Sequence, residues 1–144
     1  MAAFMWPYVF TNGVFDIIHA DHVSYLARAR SIRATLIVGL NADVSVRMLG
    51  KGGNRPLNSE RDSAIVLSAL EAVALVTVIH ERTPMQLVER IGPDIYVKGG
   101  DYDIDQLDAA KIVSSWGGTA YALPFIEGPS TITLGARVID APRI

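Results

Sequence analysis

The chain contains no cysteine. Disulfides and thiolate metal sites are therefore excluded, and a reducing compartment is the natural setting. Charge is sparse as well: 19% of the residues are charged, and the formal net charge is -2 at pH 7. No run of like charge occurs, which argues against a nucleic-acid or membrane-surface partner. No apolar stretch is long enough to span a bilayer. The apolar start, Met1 to Phe10, is short and carries no basic residue, unlike a signal peptide. These absences predict a soluble cytoplasmic protein. Histidine is scarce too, with three copies, and two of them stand close together at His19 and His22.

What is present is apolar residue, at 50% of a 144-residue chain. That length suits one domain, residues 1–144, which can bury about two thirds of its unfolded surface. Short apolar runs alternate with helical patterns. Strands are predicted at Tyr8 to Thr11 (with a start as early as Trp6), Thr35 to Leu40, Leu75 to Ile79, Asp94 to Lys98 and Thr119 to Leu123. Several are unbroken Val/Ile/Leu runs, the pattern of strands covered on both faces in a parallel sheet. Between them, His22 to Arg30 sets Val23, Leu26 and Ala27 on one helical face. Ser59 to Val73 has a serine N-cap and an apolar stripe of Val66, Leu70 and Val73. Thr83-Pro84 opens a third helix, with a capping hydroxyl and proline at the first helical position, and Gly92-Pro93 ends it. A fourth runs from Asp105 to Trp116 and stops at Gly117-Gly118. A short helix at Asp43 to Leu49 and a C-terminal one at Leu134 to Ile139 complete the set. This alternation predicts a doubly wound α/β domain with a five-stranded parallel sheet flanked by helices. Ligands of such sheets bind beyond the strand C-termini, where the strand order reverses.

Four stretches after predicted strands carry the chemistry. The first is Thr11-Asn12-Gly13-Val14-Phe15-Asp16, followed by His19 and His22. The imidazoles could be polar residues on an exposed helical turn, or part of a zinc site, although two histidines without a third ligand make a weak metal signature. Phosphate contact at a helix start fits better. The second is the long Asn41 to Asn58 segment with Arg47, Lys51 and Arg55 among glycines. It reads either as a solvated basic loop or as a flap that closes over an anion. The third is Lys98-Gly99-Gly100-Asp101-Tyr102, which either contacts a ligand or turns the chain. The fourth is Ser130-Thr131, helix cap or phosphate contact.

The first stretch resembles the cytidylyltransferase-like nucleotidylyltransferase superfamily, whose signature is HxGH. Further segments occur in order: Gly39 to Arg47, Arg55-Pro56-Leu57-Asn58, Thr83-Pro84, Pro93 to Tyr102 and Ser130-Thr131. Together they cover almost the whole chain and are similar to adenylyltransferases that activate D-glycero-β-D-manno-heptose 1-phosphate for lipopolysaccharide synthesis. The stand-alone form is implied, without the sugar kinase to which this domain is fused in many bacteria.

The resemblance implies a Rossmann-like domain in which a sugar 1-phosphate attacks the α-phosphorus of ATP and magnesium pyrophosphate leaves. It implies Mg²⁺ as cofactor and a homodimer. Its catalytic residues would be His19, His22 and Lys51. Nucleotide would be held by Thr11, Asn12, Gly13, Phe15, His19, His22, Lys98, Gly99, Asp101, Ser130 and Thr131. Acceptor would be held by Asn41, Arg47, Arg55, Asp101 and Tyr102, and Asp16 would brace the turn. The sequence departs from the pattern at Asp21, where the signature has glycine. An aspartate there could face away and cap the helix, bind Mg²⁺, or impair the site through its charge. Ile132 replaces a usual threonine, Gly135 and Ala136 replace longer residues, and Glu60-Arg61-Asp62 differs in arginine spacing. Two alternatives therefore stand beside the adenylyltransferase: a cytidylyltransferase acting on glycerol 3-phosphate or a related alcohol phosphate, and a catalytically weak nucleotide-binding protein.

Overall fold

The computed structural model describes residues 7–15, 18–31, 35–44, 59–100 and 103–123. The elements are β1 (Tyr8–Gly13), α1 (Ala20–Ser31), β2 (Thr35–Asn41), α2 (Glu60–Ser68), β3 (Leu75–Ile79), α3 (Met85–Ile91), β4 (Ile95–Gly99), a 3₁₀ turn (Ile104–Gln106), α4 (Asp108–Ser115) and β5 (Thr119–Leu123). All five expected strands form, and each pairs in parallel with its neighbour. The sheet order is β3-β2-β1-β4-β5, so the winding reverses between β1 and β4. The predicted Rossmann-like α/β architecture is the one observed.

The central strands are mainly apolar because both faces are covered. In β2, Thr35 to Leu40 are all buried. Alternate residues feed two separate cores. Val9, Leu36, Val38 and Leu40 pack with Tyr25, Leu26 and Ala29 of α1 and Leu67 of α2. Phe10, Ile37 and Tyr96 pack on the other face with Val88 of α3 and Ala109, Ala110 and Val113 of α4.

The helices differ from expectation in register more than in existence. Helix α1 starts at Ala20, not His22, and turns Tyr25, Leu26 and Ala29 inward, leaving Val23 44% exposed and Ala27 exposed. The tyrosine decides the rotation: it buries the larger surface, and its hydroxyl meets Thr11 of β1. Helix α2 has the expected Ser59 cap, whose hydroxyl accepts from the Asp62 amide at 3.2 Å. Its inner face is Ser63 and Leu67, with Val66 48% exposed, and it ends at Ser68. Beyond it, i→i+3 bonds from Leu70 N to Leu67 O and from Val73 N to Leu70 O tighten the chain before β3. In α3, Pro84 occupies the N-cap position and no side chain caps it, so the Thr83 hydroxyl does not play the expected part. Gly92 closes α3 at φ 59, as the sequence indicates. Helix α4 starts at Asp108, three residues later than expected, because the 3₁₀ turn takes up Ile104 to Gln106. Of the expected Asp43 to Leu49 helix only Asp43 and Val44 are described, and they are helical. The Leu134 to Ile139 helix lies outside the described residues. No helix among the described residues is long and apolar enough to cross a membrane.

Asp94 sews β1, β4 and β5 together. Its carboxylate accepts from Tyr8 N at 2.9 Å, its amide donates to Tyr8 O, and its carbonyl accepts from Thr119 N. Gly118 passes close to that carbonyl: a Cβ there would lie 2.8 Å from Asp94 O and 2.5 Å from Val113 Cγ1. Gly118→Ala is therefore expected to destabilise the fold by about 1–3 kcal/mol, the usual range for overpacking. Urea denaturation measures the loss, and unchanged stability would show that the α4–β5 corner yields.

Candidate active site at the β1–β4 edge

The reversal of strand order opens a space beyond the C-terminal ends of β1 and β4. Asn12 and Gly13 close β1 at this edge. Gly13 permits a close approach, since a Cβ on it would stand 3.0 Å from Phe15 Cε2. Phe15 has φ 48, a left-handed conformation that a bulky residue rarely adopts. The bend buries its ring in the α1-side core and leaves it against His22, with centroids 5.4 Å apart.

The two imidazoles then take over the start of α1. The His19 amide donates to Nδ1 of His22 at 3.2 Å, and the Asp21 amide donates to Nδ1 of His19 at 3.4 Å. Amide hydrogens that a helix start leaves without partners are thus accepted by ring nitrogens, in place of the usual hydroxyl or carboxylate. The rings lie 4.2 Å apart, inclined at 47°. With Nδ1 used as an acceptor, a neutral imidazole carries its proton on Nε2, which makes Nε2–H a donor. Burial, followed by the neighbouring His19, pushes the His22 pKa down from 6.5 to about 4, while Asp21 opposes the shift. His22 is therefore neutral at pH 7, the state that its Nδ1 contact requires.

Asp21 does not face away from this arrangement. Its Oδ2 lies 3.8 Å from His19 Nδ1, and the two side chains are 12% and 16% exposed. Among the described residues no group of three or more His, Cys, Asp or Glu side chains is placed to hold a metal ion.

The other expected site residues fall in four groups. Asn12, Gly13, Lys98 and Gly99 meet at the strand ends: Tyr96 donates its phenolic hydrogen to Asn12 Oδ1 at 2.6 Å, and Lys98 Nζ reaches Asn12 O at 3.4 Å. Asn41 ends β2 on the far side of β1. Thr11 is fully buried, with its hydroxyl on Tyr25, so its side chain braces the sheet from the α1 side. Lys51, Arg47, Arg55, Asp101, Tyr102, Ser130, Thr131 and Asp16 lie outside the described residues.

Two features escape the sequence reading. Tyr96 is one, although period two in β4 places it on the same face as Lys98 and could have pointed to it. The reciprocal pair of Asp43 and Glu60 is the other: the Glu60 amide donates to Asp43 Oδ1 at 3.0 Å, and the Asp43 amide to Glu60 Oε1 at 3.3 Å. No sequence spacing announces that contact.

A parallel, doubly wound sheet with paired imidazoles at its switch point defines the class. The cytidylyltransferase-like family model matches residues 10–120. The chain belongs to this family. It is 54% identical over 130 residues to a D-beta-D-heptose 1-phosphate adenylyltransferase of Bordetella bronchiseptica, covering 90% of this chain and 80% of that protein. It is 51% identical to the bifunctional protein HldE of Rhodopseudomonas palustris, covering 89% of this chain but only 26% of that much longer one. Among solved structures, the lipopolysaccharide core biosynthesis protein from Thermoplasma volcanium superposes with a TM-score of 0.69 at 26% identity, covering 88% of this chain and all of that one. A pantoate-beta-alanine ligase from Francisella tularensis shares the fold, with a TM-score of 0.57 at 13% identity.

The His22 environment has a measurable consequence. Its folded pKa lies below the unfolded value, so the unfolded chain binds more protons between about pH 4 and 6.5. The associated stability is present above pH 6.5 and is lost as the pH falls toward 4. An NMR titration is expected to find the His22 ring neutral down to about pH 4. A midpoint near 6.5 would refute the buried, neutral state.

Proposed function

We propose that the chain is an adenylyltransferase that transfers AMP from ATP to heptose 1-phosphate, giving ADP-heptose and pyrophosphate for surface-glycan synthesis. The observation that carries this reading is the imidazole pair at the switch point, in a chain 54% identical to a relative named for that reaction. An oxygen of the acceptor phosphate forms a bond to the α-phosphorus of ATP. The bond from that phosphorus to the bridging oxygen breaks, and the electron pair leaves with pyrophosphate. No covalent enzyme intermediate is needed, so catalysis consists of positioning and charge stabilisation.

The residues divide this work. His19 and His22 present Nε2–H donors to the charge that builds on the triphosphate. Because Nδ1 of each ring is held by a backbone amide, the donors are oriented before substrate arrives. His22 stays neutral, so it donates a hydrogen bond without taking up a proton. Gly13, Phe15 and Gly99, with the Asn12 backbone, shape the edge on which the nucleotide lies and Thr11 lies beneath it, while the Asn12 and Lys98 side chains stand where nucleotide and acceptor meet. Lys51, Ser130, Thr131 and Asp101 complete the nucleotide contacts in this reading, and Asn41, Arg47, Arg55 and Tyr102 serve the acceptor. Mg²⁺ would come with ATP as part of the substrate and would offset charge on the departing pyrophosphate. The enzyme would work as a cytoplasmic homodimer.

Pyrophosphate release from ATP and heptose 1-phosphate is the direct test. Release with CTP and glycerol 3-phosphate alone would assign the chain to the cytidylyltransferases instead. His19→Ala and His22→Ala are each expected to lower kcat by about 10²–10³, the usual loss for one oriented oxyanion donor, and normal turnover in both would remove the rings from the mechanism.

Asp21 motivates the second reading, because its carboxylate sits within the imidazole cluster. If the chain is an enzyme, it turns over as it stands and Asp21→Gly leaves it active. ATP binding without pyrophosphate release, repaired by Asp21→Gly, would make it a nucleotide-binding protein whose chemistry is blocked.

A further inference from the structure

The β1–β4 register sets Phe10 opposite Tyr96 and Thr11 opposite Val97, which brings Asn12 beside Lys98. Period two then places the side chains of Asn12, Tyr96 and Lys98 on the face that α3 and α4 cover, opposite the α1 face. A cleft of about 190 Å³ lies there, lined by these three residues together with Thr83, Met85 and Asp108. The imidazoles belong to the other side of β1, at the start of α1.

Tyr96 and Asn12 are 2% and 7% exposed, and the phenol donates to Asn12 Oδ1 at 2.6 Å. A carboxamide has one oxygen that accepts and one nitrogen that donates. Fixing the oxygen fixes the direction of the nitrogen. The asparagine is nearly buried and yet borders the cleft.

Resting on the transferase reading above, we infer that Tyr96 is a positioning residue for the acceptor: it holds the Asn12 carboxamide with Nδ2 toward this cleft, where the phosphate-bearing sugar binds. The lining suits that class of ligand. The Asn12 amide and the Lys98 ammonium are donors for phosphate oxygens. The Thr83 hydroxyl and the Asp108 carboxylate match sugar hydroxyls, and Met85 offers an apolar surface to ring C–H groups. Acceptor and triphosphate then approach β1 from its two faces and meet over Asn12 and Gly13.

The test compares the unaltered chain with Tyr96→Phe, Asn12→Ala and the double variant. Steady-state rates are measured against ATP and against heptose 1-phosphate, and calorimetry measures heptose 1-phosphate binding in the same four proteins. Tyr96→Phe keeps the ring and removes only the donor. It is expected to raise KM for the acceptor about tenfold, the scale of one buried hydrogen bond, and to leave KM for ATP unchanged. In the Asn12→Ala background the same change is expected to add little, because the residue through which Tyr96 acts is gone. An unaltered acceptor KM, an equal rise in both KM values, or full additivity in the double variant would each overturn the inference. If the unaltered chain releases no pyrophosphate, the transferase reading fails and calorimetry decides the inference separately. A roughly tenfold weaker binding of heptose 1-phosphate by Tyr96→Phe sustains it, while equal binding, or none by the unaltered chain, ends it.

Discussion

The first turn of an α-helix holds amide hydrogens that nothing inside the helix can accept. In α1 the acceptors are ring nitrogens, with His22 taking the His19 amide and His19 taking the Asp21 amide. This one arrangement sets everything at the site. It spends the Nδ1 lone pairs, places hydrogen on Nε2, and holds the rings 4.2 Å apart. It also requires neutral rings, because a protonated Nδ1 cannot accept. Burial of His22 favours that state, and the same burial depends on Phe15, whose strained backbone turns its aromatic ring against the imidazole. The capping of the helix and the orientation of both rings are here one set of contacts.

Asp21 is best understood against that arrangement. Its amide serves the cap, as a glycine amide would, so the backbone function of the position survives the substitution. The side chain adds a carboxylate 3.8 Å from His19 Nδ1, on the ring edge that the amide also uses. One residue thus brings both a backbone N–H and a carboxylate to the same ring nitrogen. A glycine could provide only the first.

The strands were legible in the sequence because central parallel strands are covered on both faces and need unbroken apolar runs, as Thr35 to Leu40 displays. The winding reversal at β1 was legible for a related reason: alternating strands and helices leave few topologies. Helix rotation was not. Val23 and Val66 fit an apolar stripe as well as Tyr25 and Leu67 do, and only the hydroxyl partner that Thr11 offers shows why the tyrosine turns inward. At the site, the histidine spacing and the glycine turns could be read directly, since each is a local signal. The Tyr96–Asn12 bond and the Asp43–Glu60 pair could not, because they join residues 84 and 17 positions apart.

Thr11 and Asn12 are neighbours in one strand, yet they report to opposite layers of the molecule. The threonine reaches Tyr25 beneath α1, and the asparagine reaches Tyr96 beneath α3 and α4. The sheet between them is a partition whose two sides share no core residue among those described. The two layers still sense each other, because the Tyr96 phenol adds to the effect of burial in raising the Tyr25 pKa. A deletion of a single residue within β1 would exchange the two partners and disable both layers at a stroke.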